Sequence, residues 1–202
     1  MRARWIVIAT VVAFAFVGFA SQAWAESGGY EVRVGVLYSM PTGDFTDEGQ
    51  TTEMDSAFGF QASFEFKLSE LIGLEPGIAF LEHDVEVKES GHPDLKLGDM
   101  SLMPLTVNLN FHVLGGDRID LYVGPTIGYA FWGDLESESF QQDFAANDQF
   151  LYGLNVGVDV PFGEKWGLNA ALSYLAMDAE LDGGPSMGVD PFQIKIGATY
   201  KF

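Results

Sequence analysis

Apolar and polar residues alternate with period two along most of this chain, in eight separate runs. Tyr30–Tyr38 carries Tyr at both ends of one face, and Phe58–Phe66 sets four Phe and an Ala against Gly, Gln, Ser and Glu. Ile72–Phe80 turns Ile72, Leu74, Pro76, Ile78 and Phe80 one way, and Leu105–His112 is polar at every even position. Leu121–Phe131, Phe150–Val160, Trp166–Tyr174 and Phe192–Phe202 repeat the pattern, with Gly, Asn, Ser, Thr, Asp or Lys between the apolar residues. Successive side chains of a strand point to opposite faces, so each run predicts a β-strand with one apolar and one polar face.

The apolar set is too bulky and aromatic for the inside of a small cylinder. The alternate set, small and polar with scattered charge, fits there, so the apolar face is predicted to meet lipid. A closed sheet also leaves no unpaired backbone edge in hydrocarbon. Tyr30 and Tyr38 serve as a ruler: eight residues at about 3.3 Å, tilted about 40°, rise roughly 20 Å, near the height of a lipid band between aromatic girdles. The connections alternate strictly. Lys67–Leu71, Val113–Arg118 and Pro161–Lys165 are tight turns, whereas Met40–Ala57, Leu81–Met103, Trp132–Gln149 and Leu175–Val189 are long. The fold class is therefore all-β, an eight-stranded antiparallel transmembrane β-barrel with short periplasmic turns and four long extracellular loops. Val85, Val87, Leu95 and Leu97 keep the period around Gly91-His92-Pro93 and predict that strands three and four continue above the membrane as a hairpin. Thr46–Asp55 and Asp134–Asp148 are acidic without regular pattern and are expected to be mobile.

The first 25 residues change the compartment. Arg2 and Arg4 precede an apolar run from Trp5 to Ala20, and Ala23-Trp24-Ala25 is a small-residue cleavage site, so 1–25 reads as a secretory signal peptide and 26–202 as the barrel domain. With no Cys, a disulfide framework, thiol nucleophile or Cys-based metal site is excluded. The formal charge is −19, and loss of Arg2 and Arg4 makes it more negative by two. Such a balance argues against nucleic acid and against attraction to anionic lipid, and is compatible with a surface that holds divalent cations.

Three stretches resemble the OmpW family of eight-stranded outer-membrane proteins: Leu102–His112, Leu121–Tyr129, and Val156–Pro161 with Lys165–Ala170. The ending, Asp190-Pro191-Phe192 through Tyr200-Lys201-Phe202, is similar too, and OmpX-like and OmpA-like barrels share parts of it. Pro125 departs from the small residue usual at that place. The resemblance implies a monomer in the bacterial outer membrane, among lipid and lipopolysaccharide, with a narrow, partly hydrophobic lumen for passage or binding of small apolar molecules. It also implies that Tyr200 and Phe202 form the signal read by the barrel-assembly machinery. No cofactor is expected.

Splitting the inward-facing residues by height yields two candidate sites. The lower half holds Arg33, Glu65, Asn110, Asp159 and Lys195, with Glu31, Glu75, Asn169 and Thr199 on the same face. These form either a charged gate or a polar plug in which carboxylates pair with Arg33 and Lys195, and pairing is the usual outcome for buried charge. Near the outer rim lie Leu37, Leu81, Ala130, Trp132, Leu151, Leu175 and Met177, an apolar cup that holds a hydrophobic guest or is filled by the protein's own loops. His83, His92 and His112 show no convergent spacing, so no metal site is expected, and the acidic loops read as solvated surface rather than cation sites. Lipid-modifying barrels carry catalytic His and Ser; His112 has no following Ser, and no enzyme is expected. The functions in competition are a narrow channel or binder for small hydrophobic molecules, a structural or adhesive barrel acting through its loops, and, remotely, a lipid-modifying enzyme.

Overall fold

The computed structural model describes residues 29–47, 50–89, 95–114, 118–134, 146–181 and 186–202, so the export segment and the hairpin tip with His92 lie outside the described residues. The described residues form β1 (Tyr30–Met40), β2 (Asp44–Asp47), β3 (Gln50–Met54), β4 (Ala57–Lys67), β5 (Ile72–Glu89), β6 (Leu95–Leu114), β7 (Asp120–Trp132), β8 (Ala146–Asn147), β9 (Gln149–Pro161), β10 (Trp166–Ala176), β11 (Asp178–Leu181), β12 (Ser186–Gly188) and β13 (Phe192–Lys201). Eight of them are staves of a closed antiparallel barrel, in the order β1-β4-β5-β6-β7-β9-β10-β13 and back to β1. These are the eight predicted strands.

Closure follows from the register. β1 and β13 pair from Glu31↔Lys201 to Met40↔Phe192 without a break, and Phe202 N donates to Tyr30 O at 3.0 Å. The polar-face residues point inward as the alternation requires, while Phe58, Phe60, Ile127, Leu154, Leu168 and Ile196 are exposed on the outside. Two aromatic belts bound this apolar exterior. Tyr30 packs on Phe64 and Phe66, and Tyr200 on Trp166 and Phe202, at the short-turn end. Tyr38 on Phe58, Tyr129 on Phe131 and Phe150 on Tyr152 ring the other. The tight turn after β9 uses Gly163 at φ 96°, a left-handed conformation that costs glycine little.

Three prolines interrupt the ladder on one side of the wall. Pairing lapses between Ser63↔Gly77 and Phe66↔Leu74, between Ile78↔Leu105 and Leu81↔Leu102, and between Asn108↔Thr126 and Phe111↔Val123. Pro76, Pro104 and Pro125 sit at these lapses and have no N–H to donate. Pro125 nevertheless keeps its register with Leu154 on the other side.

The hairpin expected above the membrane is present: β5 and β6 stay paired to Val87↔Leu95, with a bulge at Val85/Glu86. The expectation of a mobile segment over 46–55 is corrected. Most of it is the β2–β3 hairpin, in register from Asp44↔Glu53 to Asp47↔Gln50, and β3 lies along the upper part of β5 from Gln50↔Glu89 to Met54↔Val85. That partner is more than thirty residues away in sequence, so local pattern could not reveal it. Of the second acidic segment, 135–145 lie outside the described residues; Ala146–Asn147 pairs with β11, which also pairs with β12.

Candidate functional site

Arg33 organises the lower lumen. Its side chain projects from β1 and is 2 % exposed; its guanidinium donates to Glu65 Oε2 at 2.7 Å and Asp159 Oδ2 at 2.6 Å. Glu75 at 3.4 Å and Glu31 at 3.6 Å complete a set of four carboxylates from four strands. Tyr122 stacks over the guanidinium at 5.0 Å and accepts from Asn169 Nδ2 at 2.9 Å. The Tyr122 ring has room because its neighbour across the pair is Gly157, where a Cβ would run into the ring.

Below this lies a second charged cluster that the alternation did not isolate. His112 faces Asp120 Oδ1 through Nδ1 at 2.7 Å and Glu65 Oε1 through Nε2 at 2.9 Å. Asp120 also accepts from Lys67 at 2.7 Å, and Glu65 from Arg33 and Asn110. Both acids are thus acceptors of several bonds, and each ring nitrogen of His112 faces a carboxylate oxygen. Lys67 and Asp120 were hidden because each ends a strand beside a tight turn, where inward parity is easily missed. Their signal was an opposite-charge set at the short-turn ends of β4, β6 and β7.

The expected pairing of Lys195 is corrected. Among the described residues no carboxylate lies within ion-pair distance of its ammonium; Arg33 takes Glu75 instead, because its longer fork reaches several acids at once. Lys195 lines a mid-barrel cavity of about 30 Å³ with Glu75, Asn108, Asn155, Asn169 and Gln193. At ~10–15 Å³ per molecule that is room for about two waters. Drug-sized ligands occupy ~300 Å³ or more, so this chamber is too small to be a ligand pocket.

The seven cup residues stand together above the chamber. Leu37, Leu81, Ala130, Trp132, Leu151, Leu175 and Met177 are all buried in one apolar cluster. The cluster is capped by Met54 from β3, Val85 and Met100 from the β5–β6 hairpin, Ala179 and Val189. Trp132 is oriented by two bonds, from Nε1 to Asp178 O at 3.2 Å and from its backbone N to Asp148 Oδ1 at 3.1 Å. The concavity predicted by height is therefore occupied by the protein's own side chains. Sequence parity missed Met54 and Met100, which come from segments above the barrel.

The two remaining histidine and acidic features sort simply. His83, above the lipid band where the outward face turns to Glu82 and Asp84, is 1 % exposed, and burial holds its pKa below the ordinary imidazole value. Lys96 sits between Asp99 at 2.7 Å and Asp84 at 3.2 Å, bonds that raise its pKa above the ordinary lysine value. No group of three or more His, Asp or Glu placed to hold a metal occurs among the described residues. Tyr200 and Phe202 lie in the aromatic belt at the short-turn end.

Residues 9–202 match the family model described as an outer membrane protein beta-barrel domain. An outer-membrane protein of Sinorhizobium fredii, y4mB, is 27 % identical over 124 residues, covering 57 % of this chain and 54 % of that one. The outer membrane protein AlkL of Ectopseudomonas oleovorans is 25 % identical over 114 residues, covering 53 % and 49 %. The chain spans about half the length of these curated relatives. Among solved structures, the outer membrane protein OprG from Pseudomonas aeruginosa matches with a TM-score of 0.76 at 23 % identity, covering 88 % of this chain and 97 % of that one. AlkL in lipid bilayers matches with a TM-score of 0.55 at 19 % identity, covering 90 % and 93 %.

Proposed function

Because this chain belongs to the outer membrane protein beta-barrel domain family and resides in the bacterial outer membrane, we propose that it is a monomeric, non-enzymatic binder of small hydrophobic molecules, taken into the cup at its outer end. The observation that carries this reading is the continuous apolar cluster from Leu37 to Val189, set directly above a polar chamber and a charged plug. The plug stands across a straight axial path for an apolar solute. A guest would enter by displacing the methionine cap, whose unbranched thioether chains repack readily. Burial returns about 25 cal/mol per Å² of apolar surface, so ~150 Å² of guest would gain roughly 4 kcal/mol before the cost of displacement.

The lipid-modifying alternative has little support: His112 is held between two carboxylates, and neither it nor His83 has a serine hydroxyl partner among the described residues. The structural or adhesive reading keeps one specific observation in its favour, namely that the cup is filled by its own residues beneath an extended β2–β3 and β5–β6 sheet. A titration separates the two. After residue 25 the chain has only Trp132 and Trp166, so in a Trp166→Phe background fluorescence reports the cup alone. Naphthalene should shift Trp132 emission saturably, and Leu81→Glu or Leu151→Glu should abolish the shift while the folded protein keeps its heat-dependent gel migration. Unchanged binding in both variants makes the cup mere packing and leaves the structural reading.

A further inference from the structure

In the roof of the cup, His83 Nε2 is one of the buried polar atoms left without a hydrogen-bond partner among the described residues. His83 projects inward from β5 and its Nδ1 lies 2.7 Å from Asp55 O. A carbonyl only accepts, so Nδ1 carries the proton and Nε2 presents a lone pair. That Nε2 is buried, with no hydrogen-bond partner among the described residues. The arrangement is held from outside: Asp55 N donates to Asp84 O at 2.8 Å, which fixes the carbonyl that fixes the ring. A buried unpaired acceptor costs about 1–3 kcal/mol, so its presence asks for a reason.

Its neighbours supply one. Met100 is the register partner of His83 on β6, which places their Cβ atoms about 5 Å apart on the same face. Met54 is the register partner of Val85, one diagonal step from His83 on the other side. Both methionines are buried and face the same interior, and Gly98, opposite Val85, adds no side chain to the space. An imidazole whose other nitrogen is tied to a backbone carbonyl is the orientation metal-ligating histidines adopt. Thioethers beside it choose a soft ion, because they bind Cu(I) well and hard divalent ions poorly.

We propose that His83 Nε2 and the thioethers of Met54 and Met100 form a binding site for a soft monovalent metal ion, Cu(I) or Ag(I), in the roof of the barrel. The site shares Met54 and Met100 with the cap over the cup, and its test needs no hydrophobic guest. Binding is simple coordination, with no change in oxidation state of the ion or the sulfurs. Ag(I) is the probe of choice, since it needs no reductant.

The test uses the refolded full-length barrel in detergent, labelled with ¹⁵N-histidine and titrated with Ag(I), with stoichiometry read by native mass spectrometry. One equivalent should bind, with the Nε2 resonance of His83 shifting and that of His112 unmoved. Met54→Leu and Met100→Leu conserve volume and should fold, as checked by heat-dependent migration. Each should weaken Ag(I) binding at least ~10-fold, as should His83→Gln, and equimolar Zn(II) should not compete. Failure to bind one equivalent, binding undiminished by the two methionine variants, or equal uptake of Zn(II) would each overturn the proposal.

Discussion

Replacing Arg33 by Met preserves most of the side chain's volume and removes the one cation shared by four buried carboxylates. The four acids do not suffer equally. Glu65 keeps His112 at 2.9 Å and Asn110 at 3.1 Å, and Glu75 keeps Ser63 and Asn110. Among the described residues Glu31 has no hydrogen bond to lose, standing 3.6 Å from Arg33 and 3.9 Å from Lys201. Asp159 loses both of its bonds from Arg33 and keeps only Asn169 at 2.8 Å, so the lost hydrogen bonds are concentrated there. Breaking a buried ion pair by removing one partner costs about 3–5 kcal/mol, because a charge is left behind in a poorly solvated place. Urea unfolding of the barrel refolded into lipid vesicles should therefore show Arg33→Met less stable by that amount. Adding Asp159→Asn removes the stranded charge and should recover a large part of the loss, giving a coupling energy of ~1–3 kcal/mol in the double-mutant cycle. An Arg33→Met barrel within about 1 kcal/mol of the parent, as expected for a solvated pair, would refute a buried plug. So would a double variant with no recovery.

Two further outcomes follow from named contacts. Phe202→Ser strips the lower belt of a ring 5.0 Å from Tyr200, and with it the terminal aromatic that resembles the assembly signal; the variant should be degraded or stay in the periplasm, as measured by immunoblot of outer-membrane fractions, and normal outer-membrane levels would contradict that role. Gly157→Ala drives a methyl into the Tyr122 ring, which cannot shift without losing Asn169 and Arg33; overpacking of this kind costs about 1–3 kcal/mol, and an unchanged urea midpoint would show that the ring is not tightly held.

The barrel itself was legible because a stave's two faces meet unlike surroundings, so alternation survives as a one-dimensional trace. Arg33, Glu65 and Asp159 were recognisable by parity alone, and their convergence follows once β1, β4 and β9 curve into one cylinder. Which acid pairs with which base was not legible. Lys195 shares parity with Arg33 yet faces the chamber, because pairing depends on height and reach around the barrel rather than on face. His112 meets Asp120 only because the β6–β7 hairpin brings residues eight apart side by side at its base, where the periodic signal had ended. The roof was the least legible part. β3 takes its pairing partner from the far end of β5, and the cap residues Met54 and Met100 enter the cup through that long-range sheet.

The central claim is that a hydrophobic guest occupies the cup, and methyl NMR reads this directly. With Leu and Met methyls labelled in the folded barrel, naphthalene should give intermolecular NOEs to Leu37, Leu81, Leu151 and Met177, all buried in the outer cluster. NOEs confined to lipid-facing methyls such as Leu154 and Leu168, with those four silent at saturating naphthalene, would contradict the account.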